Sequence, residues 1–163
     1  PELSTDDIKA ALGEHFSIEE VDTADAAWEL MEADGGQEVF GIGTPSDGKW
    51  LLLRATDTSL MNELAPEQSD VWRGLGVSIL HRQIVDHLLK GKHSEADPKF
   101  KFVHLMDEVH TGMNEKTCQL AILVMPAQIE HVQAISEELE RMPPKSTFFY
   151  PKLLSGLVFN PLA

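Results

Sequence analysis

The strongest constraint on the fold is a run of apolar residues that repeats with the period of an α-helix. Between residues 75 and 89 they recur at intervals of three and four, at Leu75, Ile79, Leu80, Ile84, Leu88 and Leu89. This spacing places them on one face of a helix, which must be buried against another layer of structure. The pattern therefore predicts a long amphipathic helix that ends at Gly91.

Further helices are predicted from capping residues and spacing. Ser4 or Thr5 can cap a first helix that ends at Gly13, and Thr23 can cap a second helix that ends at Gly35. Short polar side chains suit these positions because they accept hydrogen bonds from the free N–H groups of the first turn. Two more helices are expected, at residues 107–113 and from Pro126 to Leu139.

Extended patterns alternate with these helices. A hairpin is predicted at residues 38–53, where Asp47-Gly48 suits the turn because glycine accepts a positive φ. Other strands are expected at residues 15–21, 100–105, 119–124 and 157–159. The run at residues 119–124 is almost entirely apolar, which is typical of a strand buried on both faces.

These alternating elements predict an α/β fold, with α+β as the open alternative. We expect a mixed sheet of about five or six strands, including one β-hairpin, with helices packed on it. The run from residue 100 to residue 124 is expected to form a parallel strand pair with a right-handed crossover. One domain spanning residues 1–163 is the expected organisation. Because the chain begins with Pro1 rather than with Met, we expect it to be a piece of a longer protein.

The charge excludes some classes of partner. The formal net charge is −14, from 13 basic and 27 acidic residues. Such a surface repels phosphodiester backbones and anionic lipids, so neither nucleic acid nor a membrane is expected as a partner. The single cysteine, Cys118, excludes an internal disulfide. With no signal segment at the start of the chain, the expected location is cytoplasmic.

The end of the chain differs in charge from the rest. Residues 141–163 contain three basic residues and no acidic residue. Three prolines stiffen residues 142–152 of this segment, which lowers the entropy lost when it holds a ligand. Its side chains suit a phosphate or a carboxylate, and the candidate substrate-binding residues are Lys145, Ser146, Thr147, Tyr150 and Lys152. The alternative is a structural loop whose aromatic residues fill the core and whose hydroxyl groups cap turns.

Histidines are weaker candidates for a catalytic role. His81 and His104 are considered as an acid or base because imidazole titrates near neutral pH. His104, Glu108 and His110 would need a shared helix to converge on a metal ion, and His104 is expected at the end of a strand. No metal site is therefore predicted, and the sequence names no cofactor.

Residues 141–158 read Arg-Met-Pro-Pro-Lys-Ser-Thr-Phe-Phe-Tyr-Pro-Lys-Leu-Leu-Ser-Gly-Leu-Val. This stretch resembles the carboxyl-terminal end of the prokaryotic family known as domain of unknown function 1015, in which Met-Pro-x-Lys-Ser-Thr-x-Phe-Tyr-Pro-Lys precedes Gly-Leu-Val. Residues 77–81 resemble the Val-x-x-Leu-His helix of that family, and residues 121–126 resemble its last apolar strand. The resemblance implies a longer protein with an amino-terminal domain and a loose link to phosphorylated amino acids. The resemblance does not identify any catalytic residue.

The expected function is to bind a small phosphorylated or carboxylated substrate, as the carboxyl-terminal domain of a metabolic enzyme. In that interpretation, the amines of Lys145 and Lys152 hold the anion. The hydroxyl groups of Ser146 and Thr147 donate hydrogen bonds, and Tyr150 positions the substrate. The alternative is a non-catalytic structural or interaction domain. In both cases an amino-terminal domain of the same protein is an expected partner.

Overall fold

The structure, a computed structural model, describes residues 2–90 and 99–147. Within these ranges the α-helices are α1 (Thr5–Leu12), α2 (Ala24–Asp34), α3 (Leu60–Leu64), α4 (Asp70–Arg73), α5 (Gly76–Ile79), α6 (Met106–Asn114) and α7 (Ile129–Glu137). The strands are β1 (Phe16–Val21), β2 (Val39–Thr44), β3 (Lys49–Ala55) and β4 (Ala121–Val124). A π-helix spans Leu80–Leu89.

The first two helices begin and end where their capping residues predict. The Asp7 N–H donates to Ser4 Oγ at 3.3 Å, and the Ser4 N–H donates to Asp7 Oδ2 at 2.9 Å. This reciprocal pairing satisfies donors that an uncapped first turn leaves open. Thr23 caps α2 by accepting from the Ala26 N–H, and Gly35 ends α2 with a φ of +72°. Glycine adopts that conformation without steric cost.

The four strands form one sheet in the order β1-β3-β2-β4, and each neighbouring pair is antiparallel. The predicted hairpin lies at its centre, where Val39 is opposite Arg54 and Thr44 is opposite Lys49. β1 and β4 are the two edges. The prediction that helices and a sheet share this chain is therefore confirmed.

Both faces of the hairpin are buried. Side chains alternate between the two faces of a strand, and Phe40, Leu51 and Leu53 enter a core cluster with residues of α1, α5 and the π-helix. Trp50 and Leu52 enter a second cluster, with α2 and β4. Helices therefore cover the centre of the sheet on both sides.

Two glycines in β2 make room for the second cluster. A β-carbon at Gly43 would lie 2.6 Å from atoms of the Trp50 ring. A β-carbon at Gly41 would lie 3.3 Å from Cβ of Ala27 on α2. Strand glycines often mark such close approach, so α2 packs close to the sheet because these side chains are missing.

The sheet is smaller and simpler than the sequence predicts. The described residues contain four strands rather than five or six, and their pairing is entirely antiparallel. The strand expected at residues 100–105 is not formed. The mixed sheet and the right-handed crossover are therefore wrong for the described part of the chain. Apolar alternation indicates which face is buried, but it does not identify the strand that supplies hydrogen bonds.

The apolar run at residues 119–124 contains β4, which pairs with β2 and lies at the edge of the sheet. Only Leu123 of this strand is buried. The prediction of burial on both faces is wrong because β4 has one strand neighbour and only partial cover in the described structure. The strand predicted at residues 157–159 lies outside the described residues.

The long helix predicted at residues 75–89 is present, but its second part is wound as a π-helix. Hydrogen bonds there span five residues, as from the Lys90 N–H to the Val85 carbonyl oxygen at 2.8 Å. Gln83 is fully buried on this helix, and neither its amide oxygen nor its amide nitrogen has a hydrogen-bond partner among the described residues. Such a group costs about 1–3 kcal/mol, which the apolar packing of Ile84 and Leu88 must offset.

Asp47 in the hairpin turn connects α1 to the sheet. Its carboxylate accepts hydrogen bonds from the Thr5 N–H at 2.9 Å, from the Lys49 N–H at 3.2 Å, and from the hydroxyl groups of Thr5 and Thr44. Partial burial of the carboxylate raises its pKa, but the four hydrogen-bond donors together lower the pKa by more. They hold the pKa of Asp47 well below its ordinary value.

We expect Asp47→Asn to lower the free energy of unfolding by about 1 kcal/mol at neutral pH, because the amide replaces a carboxylate that accepts charge-assisted hydrogen bonds at a solvent-exposed turn. The pKa of this group is lower in the folded than in the unfolded state. The stabilisation is therefore present above about pH 4 and is lost as the pH falls further.

Urea denaturation at neutral and at acidic pH measures both effects. Asp22→Asn is the matched control because Asp22 is an exposed aspartate of the same chain. Equal losses in the two variants, or a loss from Asp47→Asn that stays constant into strong acid, would contradict the assigned role.

Candidate functional site

The described part of the basic terminal segment, residues 141–147, is held against α4 by polar contacts. The N–H and hydroxyl groups of Ser69 donate to the two carboxylate oxygens of Glu140 at 2.7 and 2.6 Å. The Trp72 indole N–H donates to the Arg141 carbonyl oxygen at 3.2 Å. Met142 packs against the core cluster. The segment is therefore fixed where it leaves α7 and passes α4.

A cavity of about 380 Å³, which we call the terminal cavity, lies between this segment and α4. It is lined by Glu67, Gln68, Trp72, Glu140, Arg141, Met142, Pro143 and Pro144. The indole, the thioether and the two proline rings make much of this lining apolar. Its volume falls within the range of pockets that bind small molecules.

Arg141 is the cation of the terminal cavity. Its side chain is exposed and forms no ion pair with a described carboxylate. The two acidic residues in the lining are partly compensated, because Glu140 accepts two hydrogen bonds from Ser69 and Glu67 lies 3.9 Å from the Arg82 guanidinium. A free guanidinium can bind a carboxylate or a phosphate with two parallel hydrogen bonds.

Three of the five predicted substrate-binding residues lie in the described part of the chain. Lys145 is exposed and has a φ of +64°. Ser146 is buried, and its hydroxyl donates to the Pro143 carbonyl oxygen at 2.6 Å. Thr147 is half-buried, while Tyr150 and Lys152 lie outside the described residues. None of the three described side chains is among the residues that line the terminal cavity.

The sequence does not identify Trp72 or the side chain of Arg141 as parts of a site. The hydrogen bond that brings these residues together joins positions that are 69 residues apart. A pattern of neighbouring residues in the sequence cannot predict a contact over this separation. The one signal in the sequence is the absence of acidic residues from Arg141 onward.

His81 lies half-buried at the start of the π-helix. Its ring meets the Phe100 ring edge-on, with a centroid distance of 4.9 Å. Burial lowers the pKa of His81 below its ordinary value, while Asp86 opposes this shift and Arg82 reinforces it. His81 does not line the terminal cavity, so the structure does not bring this candidate to the basic segment.

His104 lies directly before α6 rather than at the end of a strand. Its backbone N–H donates to the Glu108 carboxylate at 3.2 Å. The imidazole of His110 instead contacts Asp25, with 3.0 Å between Nε2 and Oδ2. Within residues 2–90 and 99–147, no group of three or more histidine, cysteine, aspartate or glutamate side chains is arranged to hold a metal ion.

A second concavity, of about 540 Å³, lies beside α3 and α4. The charged residues in this polar cleft are Glu38, Asp57, Asp70 and Arg73. The Arg73 guanidinium already donates to Asp70 and to two backbone carbonyl oxygens. The polar cleft has three carboxylates and one cation that is already occupied, whereas the terminal cavity has two carboxylates and the unpaired Arg141. The polar cleft is therefore less suited to an anion.

The chain matches no protein-family model, no curated protein and no solved structure. Of the helices in the described ranges, none has the length and apolar character needed to cross a bilayer. The geometry and charge of the chain's own residues are therefore the observations that bear on its function.

We expect Glu140→Gln to lower the free energy of unfolding by about 1 kcal/mol, because two hydrogen bonds to a carboxylate become a weaker contact with a neutral amide. The terminal segment should also loosen, which hydrogen exchange at the Trp72 indole N–H would detect. Urea denaturation measures the change in stability.

Glu137→Gln is the matched control. The Glu137 carboxylate accepts one exposed hydrogen bond, from Gln133 at 3.0 Å. If both variants lose the same stability and the Trp72 indole exchanges at the wild-type rate, Glu140 does not hold the segment in place.

Proposed function

We propose that this chain binds a small phosphorylated or carboxylated substrate in the terminal cavity, as the carboxyl-terminal domain of a metabolic enzyme. One observation supports this proposal above the others. The basic, acid-free end of the chain forms one wall of a cavity, and Arg141 lies in its lining without a carboxylate partner in the described structure.

The lining suits a ligand with an anionic group and a small apolar body. Arg141 would hold the anion through its paired N–H groups. Trp72 and Met142 offer apolar surface beside it, and their contacts would add to the affinity as water leaves. The exposed amine of Lys145, four residues beyond Arg141, would add positive potential at this end of the chain.

The remaining predicted residues keep secondary roles in this proposal. Tyr150 and Lys152, which lie outside the described residues, keep the substrate-binding role that the sequence predicts. Thr147 does not line the cavity, and the hydroxyl of Ser146 already serves the turn through Pro143. Neither His81 nor His104 lines the cavity. The proposal therefore concerns recognition of an anion and assigns no acid or base.

We expect Arg141→Gln to weaken binding of an anionic ligand about tenfold or more, because the variant loses a charge-assisted pair of hydrogen bonds. Isothermal titration calorimetry with a panel of phosphorylated and carboxylated metabolites, phosphoserine included, measures the change in Kd. Lys145→Gln should weaken the same ligand by a smaller factor because a single amine acts as a point charge.

Lys116→Gln is the matched control. Like Lys145, Lys116 is an exposed lysine with a positive φ, but it lies outside the terminal segment. A panel in which no compound binds would refute the proposal. So would a ligand whose Kd is the same for Arg141→Gln, Lys116→Gln and the wild type.

A non-catalytic domain, in which the terminal segment is a structural plug, is the second candidate. It is favoured by the burial of Ser146, whose hydroxyl is used inside the chain. Met142 also packs against the main core cluster. On this alternative the segment closes the side of α4 and the cavity has no ligand.

We expect Ser146→Ala to lower the free energy of unfolding by about 1 kcal/mol, because the buried Pro143 carbonyl oxygen loses the hydroxyl donor and keeps only the Ser146 N–H, at 3.3 Å. Ser136→Ala is the matched control, since the Ser136 hydroxyl also donates to a carbonyl oxygen, that of Val132, but at an exposed position. Thermal and urea denaturation compare the two variants. If Ser146→Ala is no more destabilising than Ser136→Ala, the structural role is refuted.

A further inference from the structure

Two phenylalanines lie exposed on residues 99–103, Lys-Phe-Lys-Phe-Val, which we call the Lys-Phe segment. Phe100 is 45% exposed and Phe102 is 48% exposed. Their rings stack with centroids 5.9 Å apart and planes at 21°, and Phe100 also contacts the His81 ring. The aromatic surface is thus arranged before any partner binds, which lowers the entropic cost of association.

The backbone of the Lys-Phe segment is also unpaired within the described part of the chain. Residues 99–103 belong to no helix or strand, and none of their backbone groups is hydrogen-bonded to another described residue. Alternation of lysine with phenylalanine is the pattern of a strand with one apolar face. An unpaired segment of this kind is a template for a strand of another chain.

The sheet of the same chain has an edge of opposite charge. β1 is an edge strand and pairs only with β3 among the described strands. Its Glu19 and Glu20 side chains are 61% and 52% exposed, and their ion pairs with Arg54 and Lys9 are themselves exposed. Such pairs contribute little to stability, so a further cation can approach these carboxylates. Charges on an edge disfavour pairing with apolar or like-charged strands. They leave a cationic strand as the compatible neighbour.

Between two copies of the chain, charge favours a contact between a Lys-Phe segment and a β1 edge over a contact between two identical surfaces. At a net charge of −14, two molecules repel each other at long range. Two facing β1 edges, or two facing Lys-Phe segments, would place like charges opposite one another, which is unfavourable. A Lys-Phe segment against a β1 edge places lysines beside glutamates, so the contact is locally attractive.

We propose that two copies of this chain associate by placing the Lys-Phe segment of each along the β1 edge of the other. The exchange is reciprocal, so the dimer is closed by twofold symmetry and each sheet gains a strand. Lys99 and Lys101 share one face of the added strand, on which Lys101 lies against Glu19, and contact between the molecules covers the phenylalanine pair. The association is independent of the terminal cavity and goes beyond the proposed ligand binding.

Sedimentation equilibrium tests the proposal with two charge reversals, Lys101→Glu and Glu19→Lys, each alone and then mixed. The wild type should dimerise reversibly. Each variant alone should dimerise about tenfold more weakly or worse, because both symmetric contacts then place like charges opposite. In an equimolar mixture, a heterodimer of the two variants again pairs opposite charges at both contacts. The mixture should therefore recover the dimerisation of the wild type.

Lys145→Glu is the matched control, because it makes the same charge change at an exposed lysine outside both surfaces. It should dimerise like the wild type. A wild type that remains monomeric at high concentration overturns the proposal and leaves the aromatic pair to some other partner. A dimer that both reversals leave intact also overturns it. So does a mixture that stays monomeric while each variant retains its far-ultraviolet circular dichroism.

Discussion

Burial of the β2–β3 hairpin on both faces is the constraint on which the rest of the structure depends. Every residue of β2 is buried, and so are Trp50, Leu51, Leu52 and Leu53 of β3. An antiparallel sheet usually exposes one polar face to solvent, but neither face of this hairpin is polar. Helices must therefore cover it twice. α2 packs on one side, while α1, α5 and the π-helix pack on the other.

The terminal cavity follows from the way in which the chain returns to this core after α7. Glu140 and the Arg141 carbonyl oxygen are held by hydrogen bonds from Ser69 and Trp72, at the rim of α4. Such bonds fix the backbone at the distance that their geometry requires. Of the described residues of this segment, Met142 alone packs against the main core cluster, so the described side chains do not fill the space between segment and helix. A cavity is the result.

Structural features that depend on interactions between residues a few positions apart can be predicted from the sequence. Features that depend on a partner distant in the sequence cannot. The caps at Ser4 and Thr23 and the hairpin turn are confirmed because their donors and acceptors lie within a few residues. The strand expected at residues 100–105 has the correct alternation but lacks a neighbour in the described structure. The juxtaposition of Trp72 and Arg141 is set by the tertiary fold, which no local window contains.

The excess of acidic residues gives a particular importance to the few cations that remain unpaired. Most described ion pairs are exposed and therefore contribute little to stability, but they occupy Lys9, Arg54, Arg73 and Arg82. A cation that already has an ion-pair partner gains less from a second anion than an unpaired cation does. Arg141, Lys99 and Lys101 are among the cations that form no ion pair with a described residue. In a molecule that repels anions overall, recognition of an anion should depend on unpaired cations of this kind.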